Sequence, residues 1–417
     1  MRHLFRFLLL MIIMISGINS SIAQWVQTNL YYSGSVNALA FSGANFFAAT
    51  DSGVFLSTNN GVSWSMVNTG LTNTLVWSLA VSRTNLFAGT NGGGVFLSTN
   101  DGSSWNAVNG PYTYHTYLTN GYVYALAISG MTLFAGTGGG IFLSTDNGTR
   151  WSAVNSDLTN TYVYALAVSN SNIFAGTLDG GVFLSTNSWD WTAVNIGLTN
   201  TTVFGLAISP TTGGIGGTAL FAGTGGGGIF LSTNNGSSWN AVETGLSNTN
   251  VGPIVISDMN LFAGTDGGVF LSTNNGTSWT AVNTGLKNTS VNALTIYNTN
   301  LFAGTSNGGV WRRPISEMVT GVEDNPTAIS TYFTLEQNYP NPFNPSTTIT
   351  FSVGTNSYTS LRVYDLLGRE VATLVNEQKP TGKYTQQWNA EGLPSGVYFY
   401  RLQAGLLTET KKLILLR

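Results

Sequence analysis

One phrase returns along the first three quarters of the chain and limits what it can fold into. Val54-Phe55-Leu56-Ser57-Thr58-Asn59-Asn60-Gly61-Val62-Ser63-Trp64 comes back, slightly altered, at Phe96 to Trp105, Phe142 to Trp151, Phe183 to Trp191, Phe230 to Trp239 and Phe270 to Trp279. A second phrase travels with it. Leu86-Phe87-Ala88-Gly89-Thr90 recurs at Leu133 to Thr137, Ile173 to Thr177, Leu220 to Thr224, Leu261 to Thr265 and Leu301 to Thr305, with Phe46 to Thr50 as a looser first copy. A repeat of roughly 40 residues implies an array of equal supersecondary units that bury apolar surface against one another.

The first phrase is a turn between two strands. Its Gly-Val-Phe-Leu start is apolar and β-prone. Asn or Asp at the third position of Ser-x-Asn-x-Gly-x-x-Trp can accept hydrogen bonds from backbone amides further round the turn. The glycine two residues later can take positive φ without a Cβ penalty. The tryptophan can fold back over the turn and bury a large apolar surface. The turn residues are Asn59, Gly61 and Trp64, then Asn100, Gly102 and Trp105, then Asp146, Gly148 and Trp151. They continue as Asn187 and Trp191, then Asn234, Gly236 and Trp239, then Asn274, Gly276 and Trp279. The copy at Ser185 to Trp191 is one residue short and lacks the glycine, which predicts an irregular turn. The motif resembles the Asp-box of the BNR repeat family, found in sialidase-like β-propellers. It is also similar to seven-bladed propellers of the photosystem-assembly type. Such boxes are read as structural turns, since a motif reports its fold more reliably than an activity.

Each unit carries four strand-like pieces, which is the pattern of a propeller blade. The last unit ends at Gly309-Val310-Trp311-Arg312-Arg313-Pro314 without a box or a fourth strand. Trp25-Val26-Gln27 matches the start of a fourth strand, so the N-terminal segment is expected to complete a seventh blade and close the ring. The predicted fold is all-β: a seven-bladed β-propeller over residues 24–314, followed by a small Ig-like β-sandwich.

The flanks read differently. Residues 1–23 combine Arg2, His3 and Arg6 with an apolar run from Leu4 to Ile15 and a Ser20-Ser21-Ile22-Ala23 end, which describes a secretory signal peptide. With no cysteine anywhere, disulfides, thiol catalysis, zinc–thiolate sites and a lipoprotein anchor are excluded. Residues 315–332 are polar and without periodicity, as a linker would be. Residues 333–417 carry six or seven alternating stretches punctuated by turn residues, a small sandwich pattern. This tail closely resembles the type A C-terminal sorting domain of the bacterial type IX secretion system. The match rests on Gln337-Asn338-Tyr339-Pro340-Asn341-Pro342-Phe343-Asn344-Pro345, Tyr364 to Arg369 with Gly368, Ser395 to Leu402 with Gly396 and Tyr398, and the closing Lys411-Lys412. The resemblance implies the secretion machinery as partner. It also implies a product that is secreted or held on the outer-membrane surface of a Gram-negative bacterium.

Charge narrows the function. Residues 24–314 hold nine acidic and five basic side chains, and the surface is dominated by Asn, Thr, Ser and Gly. Such a surface cannot take up nucleic acid through counterion release. Sialidase-type chemistry requires an arginine cluster for a substrate carboxylate. The propeller has only Arg83, Arg150, Arg312 and Arg313, and the family's catalytic set maps onto no positions here. A general glycosidase needs two carboxylates; Asp51, Asp179 and Asp266, all following the second strand of a unit, are the candidates, against their ordinary use as turn formers. His115 stands alone and suggests no metal site. No catalytic residue, metal or cofactor is assigned.

The stronger candidates are aromatic. The residue after the first Val of the innermost strand is Asn37, Trp77, Tyr124, Tyr164, Phe204, Gly252 and Asn292 in successive units. Insertions at Pro111 to Tyr117, bringing Tyr112 and Tyr114, and at Pro210 to Thr218 add to one end. Trp77, Tyr124, Tyr164, Phe204, Tyr112 and Tyr114 are the candidate ligand-binding set. Packing between blades is the competing reading, because Trp77 shares strand parity with Leu79 and Val81. The expected function is non-catalytic binding of a polysaccharide or a surface protein by a monomer without a transmembrane segment. A glycoside hydrolase and a structural or adhesion module are the alternatives.

Overall fold

A computed structural model describes residues 24–30, 32–110, 117–209, 219–257, 259–319, 334–353, 357–366, 368–380, 382–404 and 407–416. The signal-peptide segment lies outside these residues, as do Tyr112, Tyr114, His115 and the whole of the second insertion. The chain divides into two units, 1–321 and 322–417.

The first unit is a seven-bladed propeller. Blade one is the four-stranded antiparallel sheet Val36–Ser42, Asn45–Thr50, Gly53–Ser57 and Ser65–Met66. Blades two to six repeat this plan over residues 76–107, 123–153, 163–193, 203–241 and 251–281. Blade seven is assembled from both ends. Val291–Tyr297, Asn300–Thr305 and Gly309–Pro314 take Val26–Gln27 as their outer strand, with Val26 opposite Arg312 and Gln27 opposite Trp311. The innermost strands contact one another all the way round, blade seven to blade one included. Ring closure leaves only short, protected sheet edges.

Apolar surface is buried between blades. Phe47, Ala49 and Val54 of blade one pack with Val76, Leu86, Ala88, Phe96 and Trp105 of blade two, and equivalent clusters recur around the ring. The box tryptophan serves this junction rather than its own turn. Trp105 Nε1 donates to the Val67 carbonyl of the preceding blade at 2.7 Å, and Trp151, Trp191, Trp239 and Trp279 do the same. Trp25 follows suit, donating to Val282 O at 2.7 Å, so the N-terminal strand brings its own clamp. The pattern breaks at the seam, where the buried Trp64 Nε1 has no partner among the described residues.

The boxes close on themselves as their residue types require. Ser98 Oγ donates to Asn100 Oδ1 and accepts from the Gly102 amide, while Asn100 Oδ1 accepts from Ser104 N at 2.9 Å. Asp146 reproduces the scheme with a carboxylate. The short fourth copy is irregular as expected. Ser188, placed directly after the box Asn like Asn60 and Asp101, takes φ of 69° with no glycine after it, Asn187 Oδ1 accepts from both Trp189 N and Asp190 N, and Trp189 is about half exposed.

Ile315 does not belong to a linker. Ser316–Val319 forms a short helix whose Met318 is buried against Trp311 and Val282, so the propeller runs several residues past 314. An Ile315-Ser316-Glu317 start reads as polar, but Ile315, Met318 and Val319 gather on the side that meets blade seven.

The second unit is a two-sheet β-sandwich. Thr334–Leu335, Ser346–Val353 and Gly382–Asn389 form one sheet; Glu370–Lys379, Ser357–Tyr364, Gly396–Ala404 and Leu407–Leu415 form the other. Its core includes Phe343, Phe351, Leu361, Trp388, Tyr400 and Leu413.

Candidate functional site

The innermost strand of every blade is interrupted at the same place. In blade two Val76 pairs with Thr90 and Ser78 with Gly89, leaving Trp77 as an extra residue in a bulge. Tyr124, Tyr164 and Phe204 occupy the same bulge in blades three, four and five, and Asn37 and Asn292 occupy it in blades one and seven. A bulge re-aims the side chain it carries. Strand parity with Leu79 and Val81 therefore does not govern Trp77, which turns to the next blade at the channel instead of into the junction behind it.

The four rings form a continuous row. Trp77 stacks on Tyr124 with centroids 4.9 Å apart and planes 15° apart. Tyr124 meets Tyr164 at 4.6 Å, and Tyr164 meets Phe204 edge-on at 5.6 Å. Together they line one open concavity of about 470 Å³. Only Trp77 and Tyr124 lie face to face; the next two contacts are tilted and edge-on. Burial, and next the neighbouring hydroxyls of Tyr164, Tyr162 and Tyr122, push the Tyr124 pKa above its ordinary value.

Two residues of this arc escape the sequence reading. Tyr122 and Tyr162 lie two positions before the bulge, are about half exposed, and extend the aromatic surface outward, with Tyr122 6.4 Å from Trp77. The signal was the Tyr-Val-Tyr of Tyr122-Val123-Tyr124 and Tyr162-Val163-Tyr164. The remaining three blades make the opposite side polar. Asn37 Nδ2 donates to Asp51 Oδ1 and to Val76 O, and Asn292 Nδ2 donates to Ser306 Oγ.

The carboxylates serve the rim. Asp51 accepts from Asn37 and Ser35 N; Asp179 accepts from Thr202 Oγ1 of the next blade; Asp266 accepts from Asn250 and from Ser290 Oγ of the next blade. They belong to blades one, four and six, so no two lie on adjacent blades. Arg313 is buried, donating to Val282 O and Glu317 O, and burial lowers its pKa. No group of three or more His, Cys, Asp or Glu side chains gathers around a possible metal position among the described residues.

In the sandwich the sorting-motif residues divide into staples and exposed groups. Asn338 is buried, its Nδ2 donating to Thr347 Oγ1 and Pro340 O. Its N–H donates to the Tyr400 hydroxyl, which in turn donates to Glu336 O. Asn341 Oδ1 accepts from Ile414 N, and Asn341 Nδ2 and Gln337 Nε2 reach the Lys412 carbonyl. Phe343 is buried beside Trp388 and bonds through its backbone to both Ile414 and Leu416. The Asn-Pro segment, with cis peptides before Pro340, Pro342 and Pro345, is thus sewn to the last strand. Gly368 takes φ of 77° in a turn held by the Asp365–Arg369 ion pair at 2.7 Å, and Tyr398 donates to Pro394 O. Tyr339 stands fully out in solvent, Lys412 is exposed, and Lys411 lies 3.4 Å from Glu409.

The molecule is therefore a seven-bladed propeller with an aromatic arc at one channel mouth, followed by a β-sandwich. Residues 337–416 match the family model described as a secretion system C-terminal sorting domain. The sandwich is a sorting domain of the type IX system, and the protein is addressed to the cell surface or beyond it. Among the described residues no helix is long and apolar enough to cross a membrane. No curated protein sequence is significantly similar to the chain.

Solved structures share the fold. PorZ, an essential surface component of the type IX secretion system of Porphyromonas gingivalis, is 17% identical with a TM-score of 0.52. The alignment covers 92% of this chain and 60% of PorZ. The GH74 xyloglucanase of Xanthomonas campestris is 13% identical, TM-score 0.51, with 92% and 80% covered. YCF48 of Cyanidioschyzon merolae is 14% identical, TM-score 0.53, with 70% and 99% covered. At such identities the likeness concerns the fold, which is shared by an enzyme and a surface component alike.

Proposed function

We propose that the protein is an exported, non-catalytic propeller that binds a neutral polysaccharide at the cell exterior through the aromatic arc. The observation that carries this reading is the convergence of Trp77, Tyr124, Tyr164 and Phe204, from four consecutive blades, on one open concavity. Partly exposed rings with polar edges suit a ligand that is apolar on its faces and hydroxylated at its rim. The surrounding Asn, Ser and Thr side chains donate and accept without charge.

The non-catalytic part is supported by the carboxylates. Cleaving a glycosidic bond calls for two of them flanking one bond, roughly 5–10 Å apart. Asp51, Asp179 and Asp266 are spread over non-adjacent blades and engaged in rim hydrogen bonds.

The test is a glycan array probed with the full-length secreted protein and with Trp77→Ala and Tyr164→Ala, each checked for folding. Binding to neutral glycans that weakens about tenfold or more in the folded variants is expected, since ~1.4 kcal/mol of lost contact is tenfold in affinity. Binding untouched by either substitution, or none to any glycan, overturns the reading and turns the search to a surface protein as ligand.

A further inference from the structure

Beyond Phe204 the arc runs into a second hollow of about 310 Å³, lined by Phe204, Asn250, Pro253, Asp266 and Asn292 among others. Phe204 lines both hollows, with Tyr164 against its ring on the arc side. Its ring lies close over Gly225, where an added Cβ would stand 2.9 Å from Cε2. A larger residue at 225 would force the ring to move.

The lining here changes character. Asn250 Nδ2 donates to one oxygen of Asp266, and Ser290 Oγ donates to the other at 3.1 Å. Both donors are neutral, so they orient the carboxylate without cancelling its charge. Each oxygen keeps accepting capacity for a further donor. No Lys or Arg is among the lining residues.

We infer that this hollow is a subsite for one neutral, hydroxyl-bearing sugar unit, and that Asp266 sets the selectivity of the site by rejecting acidic units. The inference rests on the polysaccharide reading above and adds the class of ligand. Phe204 and Pro253 supply apolar surface for a ring face. Opposite a fixed carboxylate the ligand must donate. A sugar hydroxyl can do so; the carboxylate group of a uronate or a sulfate ester group cannot, and it brings a like charge. Even at near-water dielectric, such a contact at 4 Å weighs about fivefold in affinity, and more as the hollow dries.

The experiment compares matched probes on the full-length secreted protein. A β-glucan, a xylan and a mannan are each measured beside their carboxymethyl derivatives, at low and at physiological salt. The wild type is expected to favour the neutral member of a bound pair about fivefold or more, with the margin shrinking as salt screens the repulsion. Asp266→Asn should bring the ratio towards one, whatever it does to neutral binding itself, because the ratio reads only the charge. Trp77→Ala should weaken both members and leave the ratio in place. An unchanged ratio in Asp266→Asn overturns the subsite and leaves the arc standing. Should that variant not fold, a wild-type ratio insensitive to salt overturns it equally. Absence of binding to every neutral probe overturns the subsite together with the reading it rests on.

Discussion

Single residues decide how well each box turn closes. Gly102 sits at φ of 82°, and an added Cβ would lie 2.9 Å from Val67 Cγ2 of the preceding blade. Gly102→Ala is expected to cost ~1–3 kcal/mol, for backbone strain and for displacement of the blade junction. Ser188 holds the same left-handed conformation with a side chain, so Ser188→Gly should stabilise the fold by roughly 0.5–1 kcal/mol. Urea midpoints of the two variants check both signs. In the sandwich, burial pushes the Tyr400 hydroxyl up to about 12 from 10.0. The unfolded chain then loses this proton first. The stabilisation is complete below pH 10 and is lost as pH rises through about 12, which denaturation of the sandwich at stepped alkaline pH would record. Tyr400→Phe should flatten this dependence while weakening the domain at neutral pH, because Asn338 N and Glu336 O lose their shared partner.

At the scale of the element, the outer strand and the bulge carry different loads. The N-terminal strand is only Val26–Gln27, yet it delivers Trp25, which is buried in the blade-seven junction and bonded to Val282. Trp25→Ala is expected to destabilise the ring by ~3–5 kcal/mol, as removal of a large buried aromatic does. Trp189→Ala, at a ring already half in solvent, should stay within about 0.5 kcal/mol. Thermal unfolding of the two variants separates the residue that anchors the closing strand from one that decorates a turn. The inner-strand bulge frees one residue per blade from the packing pattern. Where that residue is aromatic it joins the arc, and where it is Asn it binds its neighbours along the rim.

For the whole molecule, address and activity are written in separate units. The sorting sandwich is read in a run of motif residues that includes Asn338, Asn341 and Phe343, all of which hold the Asn-Pro segment against the last strand. The propeller presents one mouth that is aromatic over four blades and polar over three. The selectivity proposed for it belongs to this scale, because the aromatic arc and the carboxylate at its end come from blades far apart in sequence.

The sequence alone determined the period, the box chemistry, the seven blades, the closing strand and the export domain. Each of these has a signature in a short stretch: Ser57 needs only Asn59 and Gly61 within four residues to close its turn, and Trp25-Val26-Gln27 shows its strand by likeness to the other copies. It also brought Trp77, Tyr124, Tyr164 and Phe204 forward as a set, but not the direction they face. The tertiary structure decided that. A one-residue bulge between Val76 and Ser78 overrides the alternation that would have buried Trp77, and its neighbour Tyr124 lies a full repeat away. The partners of the box tryptophans and the hollow between Phe204 and Asp266 depend likewise on the adjoining blade. Such contacts are fixed by how the ring closes, which no stretch of about 40 residues can specify by itself.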